Sequence, residues 1–160
     1  MMNAPLSAVG QKPERGDKQR LRLWIRLLRT TRIVEGELRE RLKREFDTTL
    51  PRFDVMSALY RRPEGMLMSD LSRFLLVSNG NVTGIVDRLV SDGFVMRTKK
   101  EGDKRTSVVR LTPAGVALFE KMAAAHERWI TELLGSIETA EVHRLSEMLR
   151  AFRSNWEIDH

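Results

Sequence analysis

The sequence predicts a mainly helical protein with one small β-hairpin. Two observations predict this fold class. Apolar residues recur at three- and four-residue steps through most of the chain, and this period breaks after Gly93, where two short β-prone runs flank a polar turn. With 160 residues, of which 41% are hydrophobic and 31% charged, the chain has the size and composition of one ordinary globular unit.

A long amphipathic helix is expected after an N-terminal arm. Residues 1–19 are rich in glycine, proline and small polar residues, which predicts a flexible arm. No proline interrupts residues 18–46, and Arg32 lies at the edge of the apolar stripe that runs along this segment. The stripe consists of Trp24, Leu28, Thr31, Leu38, Leu42 and Phe46.

Three shorter helices follow, each marked by a start or stop residue. Pro51 suits the first turn of the second helix, and Pro63 ends it. Ser69 is expected to cap a third helix over residues 70–76, because its hydroxyl can accept a hydrogen bond from a free backbone N–H. The fourth helix ends at Gly93, which suits the left-handed position after a helix.

The hairpin and two long helices complete the chain. Residues 94–98 and 106–111 are the expected strands, and 99–104 are the turn. Thr112 is the expected N-cap of a fifth helix, and a last helix starts near Thr139. Three helices followed by a hairpin is the winged helix-turn-helix arrangement, in which the last of the three helices fits a DNA major groove and the hairpin reaches the flanking backbone.

The net charge of +6 is unevenly distributed. It is +5 in residues 1–60, zero in 61–93, +4 in 94–112 and −3 in 113–160. The basic hairpin beside a neutral helical segment favours a polyanionic partner.

The composition excludes several function classes. The chain has no cysteine, which excludes disulfides, thiolate zinc sites, cysteine nucleophiles and thiol redox sensing. No apolar run reaches the roughly 18 residues of a membrane span, and the N-terminus lacks the apolar core of a secretory signal. A cytoplasmic protein without membrane association is therefore expected.

The candidate DNA contacts lie at the start of the fourth helix and in the hairpin. Small and polar side chains occupy the first two helical turns, where they can reach base edges or phosphates. Basic side chains in the hairpin can bind phosphates or enter a minor groove, and the Asp103 carboxylate can orient the Arg105 guanidinium. Taken alone, each feature has an explanation that involves no DNA: the polar residues can simply cap the helix, and the basic residues can form a solvated hairpin tip. The candidates are Ser78, Asn79, Asn81, Thr83 and Arg88 in the helix, and Arg97, Lys99, Lys100, Asp103, Lys104 and Arg105 in the hairpin.

Linked motifs along the chain resemble the MarR family of transcriptional regulators. They are Asn81-Val82-Thr83-Gly84-Ile85-Val86-Asp87-Arg88-Leu89, Asp92-Gly93-Phe94-Val95-Met96-Arg97, Gly102-Asp103-Lys104-Arg105-Thr106 and Leu111-Thr112-Pro113-Ala114-Gly115. The resemblance spans about Leu21 to Trp156. It implies one unit over 20–160, held as a homodimer by helices in 20–47 and 113–158, with a DNA-binding region in 51–112 on a palindromic double-stranded operator.

The resemblance also implies a small-molecule effector. The missing cysteines argue against peroxide sensing. The three histidines, His126, His143 and His160, are far apart and have no carboxylate or cysteine at the spacing of zinc ligands, so no metal is expected. An aromatic carboxylate or its coenzyme A thioester is the favoured effector. Arg32 is placed to neutralise such an anion, with Trp24 and His126 lining its cavity; ordinary packing or a solvated charge is the alternative for each.

The sequence thus predicts an effector-responsive DNA-binding regulator, most often a repressor, without catalytic activity. No Ser/His/Asp set, glycine-rich phosphate loop or metal cluster supports an enzyme. Two alternatives stay open: a winged-helix module that binds protein, and a DNA-binding protein that needs no effector. A DNA affinity that falls steeply with salt would exclude the protein-binding module. Release from DNA on addition of a ligand would exclude the protein that needs no effector.

Overall fold

The computed structural model describes residues 15–75, 79–100 and 102–158. Contacts divide the chain into two compact units, residues 1–37 and 38–160. The elements are α1 (Arg15–Phe46), α2 (Leu50–Tyr60), β1 (Met66–Leu67), α3 (Met68–Leu75), α4 (Asn79–Ser91), β2 (Val95–Lys100), β3 (Asp103–Leu111), α5 (Pro113–Leu133) and α6 (Thr139–Ile158). They confirm the predicted fold class. None of the helices in the described ranges is both long and apolar enough to cross a membrane.

Two helices start with a threonine N-cap and a proline in the first turn; the sequence predicts the proline of α2 and both residues of α5. The Thr49 hydroxyl accepts a hydrogen bond from the backbone N–H of Arg52 (3.4 Å), with Pro51 in the first turn of α2. Thr112 caps α5 in the same way, since its hydroxyl accepts from the N–H of Gly115 (3.0 Å). Gly93 has φ +81°, the predicted left-handed conformation after α4.

Two other predicted helix boundaries are wrong. α1 begins at Arg15, so residues 15–19 are helical rather than part of the arm; Asp17 in the first turn suits the positive end of the helix dipole. Residues 1–14 lie outside the described ranges. α3 begins at Met68, directly after β1, so Ser69 lies inside the first turn and is not its N-cap.

The sheet is larger than the predicted hairpin. Its strand order is β1-β3-β2, with both pairings antiparallel. β2 and β3 extend into the predicted turn 99–104 as far as the pair Lys100 and Asp103, with a shift in register between Lys99 and Lys100; Gly102, just before β3, has φ +84°. β1 is not predicted by the sequence; it adds a third strand through the pairs Met66 with Val109 and Leu67 with Val108.

The core of the 38–160 unit joins the last turns of α1 with α2, α3, α4, α5 and the sheet. Its largest fully buried side chains are Leu42, Met56, Leu59, Leu71, Leu89 and Met122. A series of rings links α2 to α5: Phe53 lies 5.5 Å from Phe119, and Tyr60 lies 4.9 Å from the same ring. Of the apolar residues that recur at helical spacing in α4, Val82, Val86 and Leu89 are fully buried in this core, whereas Ile85 is half-buried and Val90 is 38% exposed.

Candidate nucleic-acid interface

Helix α4 has one buried face and one outer face. Val82, Val86 and Leu89 are fully buried against the rest of the 38–160 unit. On the opposite side, Gly80, Gly84, Asp87 and Ser91 are exposed and lie within about 60° of one another at 100° per residue. We call these four residues the outer face of α4.

The outer face is smooth because two of its four residues have no side chain. A Cβ atom built on Gly80 or Gly84 would meet no atom of the described residues within 4 Å. The predicted contacts Asn81 and Thr83 are exposed on either side of this face. A narrow helix with a smooth centre and polar flanks has the shape and hydrogen-bonding groups that a major groove accepts.

The predicted contact residues divide into two groups. Asn81, Thr83 and Arg88 are exposed on α4, and Arg97 and Lys99 are exposed on β2. The Arg97 guanidinium is held by the Asp87 carboxylate, with Nη2 2.8 Å from Oδ1. Outside the described part of the chain lie Ser78 and the side chains of Asn79, Lys100, Asp103, Lys104 and Arg105.

A compact corner joins α4, the hairpin and α5. The N–H of Phe94 donates to the carbonyl of Leu89 (3.0 Å), and the carbonyl of Phe94 accepts from the N–H of Thr112 (3.0 Å). The Thr112 hydroxyl also donates to the carbonyl of Gly93 (2.6 Å). A Cβ on Gly115 would lie 2.0 Å from the Phe94 carbonyl oxygen, so only glycine fits there. The Leu-Thr-x-x-Gly motif therefore positions the hairpin relative to α4.

A cavity of about 550 Å³ lies between the start of α2 and the side of α4 that carries Asn81, Ile85 and Arg88. It is lined by Thr49, Pro51, Arg52, Asp54, Val55, Leu75, Asn81, Ile85 and Arg88. Arg52 pairs with Asp92, and its Nε is buried without a hydrogen-bond partner in the described part of the structure. Sequence reasoning missed Arg52 as a candidate, because no local motif indicates that α2 and α4 enclose a space.

The residues predicted to bind the effector lie elsewhere. His126 on α5 is half-buried, and its ring stacks on Phe53 with centroids 4.8 Å apart. Burial lowers the pKa of His126 below its ordinary value of 6.5. Trp24 and Arg32 are exposed on α1. None of the three lines the cavity beside α4, and their effector role stays a prediction.

Comparison with known proteins identifies the family of this chain. The MarR family model matches residues 48–107, which span the cavity, α4 and most of the hairpin. The transcriptional activatory protein BadR of Rhodopseudomonas palustris is 32% identical over 133 residues, which are 81% of this chain and 71% of BadR. The chain belongs to the MarR family. It is a DNA-binding transcriptional regulator, and the resemblance seen in its motifs is confirmed.

Solved MarR-family structures agree with this fold. A MarR family transcriptional regulator from Silicibacter pomeroyi is 36% identical, with a TM-score of 0.75, and the match covers 91% of this chain and 99% of that one. A mutant MarR from E. coli, solved with operator DNA, is 27% identical, with a TM-score of 0.74 and coverage of 84% and 95%.

Proposed function

We propose that this MarR-family regulator binds a palindromic operator as a homodimer, represses transcription there, and is released by a small organic anion. The observation that carries the DNA-binding part is the smooth outer face of α4, which lies between Asn81 and Thr83. In this proposal α4 enters the major groove, Asn81 and Thr83 read base edges, and the basic hairpin binds the flanking backbone.

The homodimer is supported by large apolar side chains that are exposed to solvent in the single chain. On α6 the exposed apolar side chains are Val142, Leu145, Met148, Leu149 and Phe152. On α1, within residues 15–37, Leu21, Leu23 and Trp24 are each 57% exposed. The α6 side chains recur on one side of their helix, and an exposed apolar face of this kind marks an interaction surface. A second copy covers it while giving the two-fold symmetry that a palindromic operator requires.

The cavity beside α4 supports an anionic effector. Its volume of about 550 Å³ lies within the usual range for small-molecule sites. Pro51, Val55 and Ile85 supply apolar walls, while the guanidiniums of Arg52 and Arg88 can bind a carboxylate. An aromatic carboxylate fits this combination; a coenzyme A thioester would place only its acyl end inside.

The position of the cavity provides a release mechanism. Asn81 and Arg88 line the cavity and are also predicted DNA contacts. A ligand that engages them removes them from DNA, so the ligand-bound and DNA-bound states compete. The effector then shifts the population of dimers away from the operator.

DNA binding is tested by fluorescence anisotropy at several salt concentrations. Arg105→Ala is expected to weaken binding to all duplexes and to reduce the salt slope by about one, because one phosphate contact is lost. Asn81→Ala is expected chiefly to reduce discrimination between operator and scrambled duplexes. An unchanged salt slope in the first variant would remove Arg105 from the phosphate contacts.

The effector is tested by a thermal-shift screen of aromatic acids and their thioesters, followed by measurement of DNA release for each hit. Arg88→Gln is expected to abolish the thermal shift. Arg73→Gln, which removes an exposed arginine of α3 outside this cavity, is the matched control. Equal shifts in both variants would place the effector elsewhere.

Repression is tested by transcription in vitro from a promoter that carries the operator. The proposal expects the protein to lower transcript yield and the effector to restore it. A protein-dependent increase would indicate activation, the activity for which BadR is named.

A further inference from the structure

We infer that the ion pair between Asp87 and Arg97 sets the orientation of the hairpin relative to the recognition helix α4. Arg97 then acts on DNA binding through Asp87 rather than by contacting a phosphate. The inference rests on the proposed use of α4 and the hairpin in operator binding. It makes Arg97 and Asp87 positioning residues for sequence recognition.

The direction of the Arg97 side chain supports this role. Side chains alternate along a strand, so Val95 and Arg97 point to the same side of β2. Val95 is 2% exposed, and Val109, the partner of Arg97 in register on β3, is fully buried. Arg97 therefore extends from the core-facing side of the sheet towards α4; the residue as a whole is exposed, but two thirds of its side-chain surface is covered, with 32% left exposed.

The position of Asp87 gives the pair its significance. Asp87 belongs to the outer face of α4, together with Gly80 and Gly84, which the proposed function turns towards the groove. A carboxylate on that face repels DNA phosphates unless a cation holds it. If the Asp87 carboxylate only repelled phosphates, removing its charge would tighten DNA binding. If removing the charge weakens DNA binding instead, the carboxylate must position the hairpin.

The pair also supplies a second attachment between α4 and the hairpin. The first is the corner at Phe94, whose N–H donates to the carbonyl of Leu89 (3.0 Å). Arg97 lies three residues further along the chain, in β2, and its guanidinium forms an ion pair with Asp87 in which Nη2 lies 2.8 Å from Oδ1. Two attachments define the direction of a strand that one attachment leaves free to pivot.

A double-mutant cycle with Asp87→Asn and Arg97→Gln tests the inference. The probe is the duplex most enriched by the wild-type protein from a randomised pool, compared with a scrambled duplex of the same composition. Each single variant is expected to lower discrimination between the duplexes by about tenfold, similar to the loss of one base-pair contact. The double variant is expected to lose no more than either single variant, because both substitutions break the same contact.

Two controls separate positioning from charge and folding. Asp87→Glu, which keeps the carboxylate, is expected to recover part of the discrimination. Glu64→Gln removes an equally negative, exposed carboxylate from the turn after α2 and is expected to leave discrimination unchanged. Thermal unfolding of each variant checks that the fold is retained.

Three outcomes would overturn the inference. Asp87→Asn binding the enriched duplex as well as or better than wild type would show that the carboxylate only repels DNA. Losses that multiply in the double variant would show that Arg97 contacts DNA independently. Discrimination by Asp87→Glu that is no better than that of Asp87→Asn would show that the carboxylate has no positioning role. If the proposed operator binding is itself wrong, the wild-type protein enriches no duplex. This result differs from the three outcomes above and is obtained before any variant is tested.

Discussion

Replacing Gly84 with leucine should raise the stability of the protein while weakening its binding to DNA. Gly84 lies in the interior of α4, and a Cβ at this position meets no described atom within 4 Å. Leucine is a better helix former than glycine and has open space to occupy. The same space must be empty for the outer face of α4 to approach base edges.

The two effects have opposite signs and different sizes. Glycine in a helix interior is about 0.8 kcal/mol less favourable than leucine, which in a chain of this length corresponds to a rise in Tm of roughly 2–3 °C. A leucine side chain holds the helix away from the groove. If this breaks two base contacts at about 1.4 kcal/mol each, operator affinity falls roughly 100-fold.

Differential scanning calorimetry measures the first effect, and anisotropy with operator and scrambled duplexes measures the second. Ala117→Leu adds similar bulk to an exposed position of α5 and is expected to leave operator affinity unchanged. Gly84→Leu that binds the operator like wild type would refute the placement of the outer face of α4 in the groove.

Three further predictions concern the packing of the 38–160 unit. Gly115→Ala should lower the free energy of unfolding by at least about 2 kcal/mol in urea titration, because its Cβ would overlap the Phe94 carbonyl, and a neutral result would contradict the corner geometry. Leu89→Ala should lower it by about 2–5 kcal/mol, since the side chain is fully buried; a loss below about 1 kcal/mol would contradict that burial. His126→Phe should make stability less dependent on pH below about 6.5: burial lowers the pKa of His126, so the unfolded chain binds more protons and wild-type stability falls as pH falls through this range. Equal losses for wild type and variant between about pH 7.5 and 5.5 would contradict the pKa shift.

Local chemistry explains why much of the fold could be predicted. Threonine followed by proline marks the start of α5, and the spacing of Val82, Val86 and Leu89 identifies the buried face of α4. These signals act over one or two helical turns, so they can be read from neighbouring residues. The glycines at 80 and 84, which lie one helical turn apart, likewise indicate a smooth helix face through their spacing alone.

The missed features depend on contacts between distant segments. β1 is two residues long and forms only because β3 offers a free edge, so it has no periodicity of its own. The cavity brings Arg52 of α2 to Arg88 of α4, and the pair of Asp87 and Arg97 depends on the direction of β2. Composition and spacing contain no information on these distances.

Selection of duplexes by the wild-type protein from a randomised pool tests whether a pair of α4 helices reads a palindromic operator. If two copies of α4 enter successive major grooves, the enriched sequence is a palindrome whose half-site centres lie about 10 base pairs apart. Enrichment should be lost with Gly84→Leu and kept with Ala117→Leu. An enriched sequence without two-fold symmetry, or no enrichment by the wild-type protein, would contradict the account.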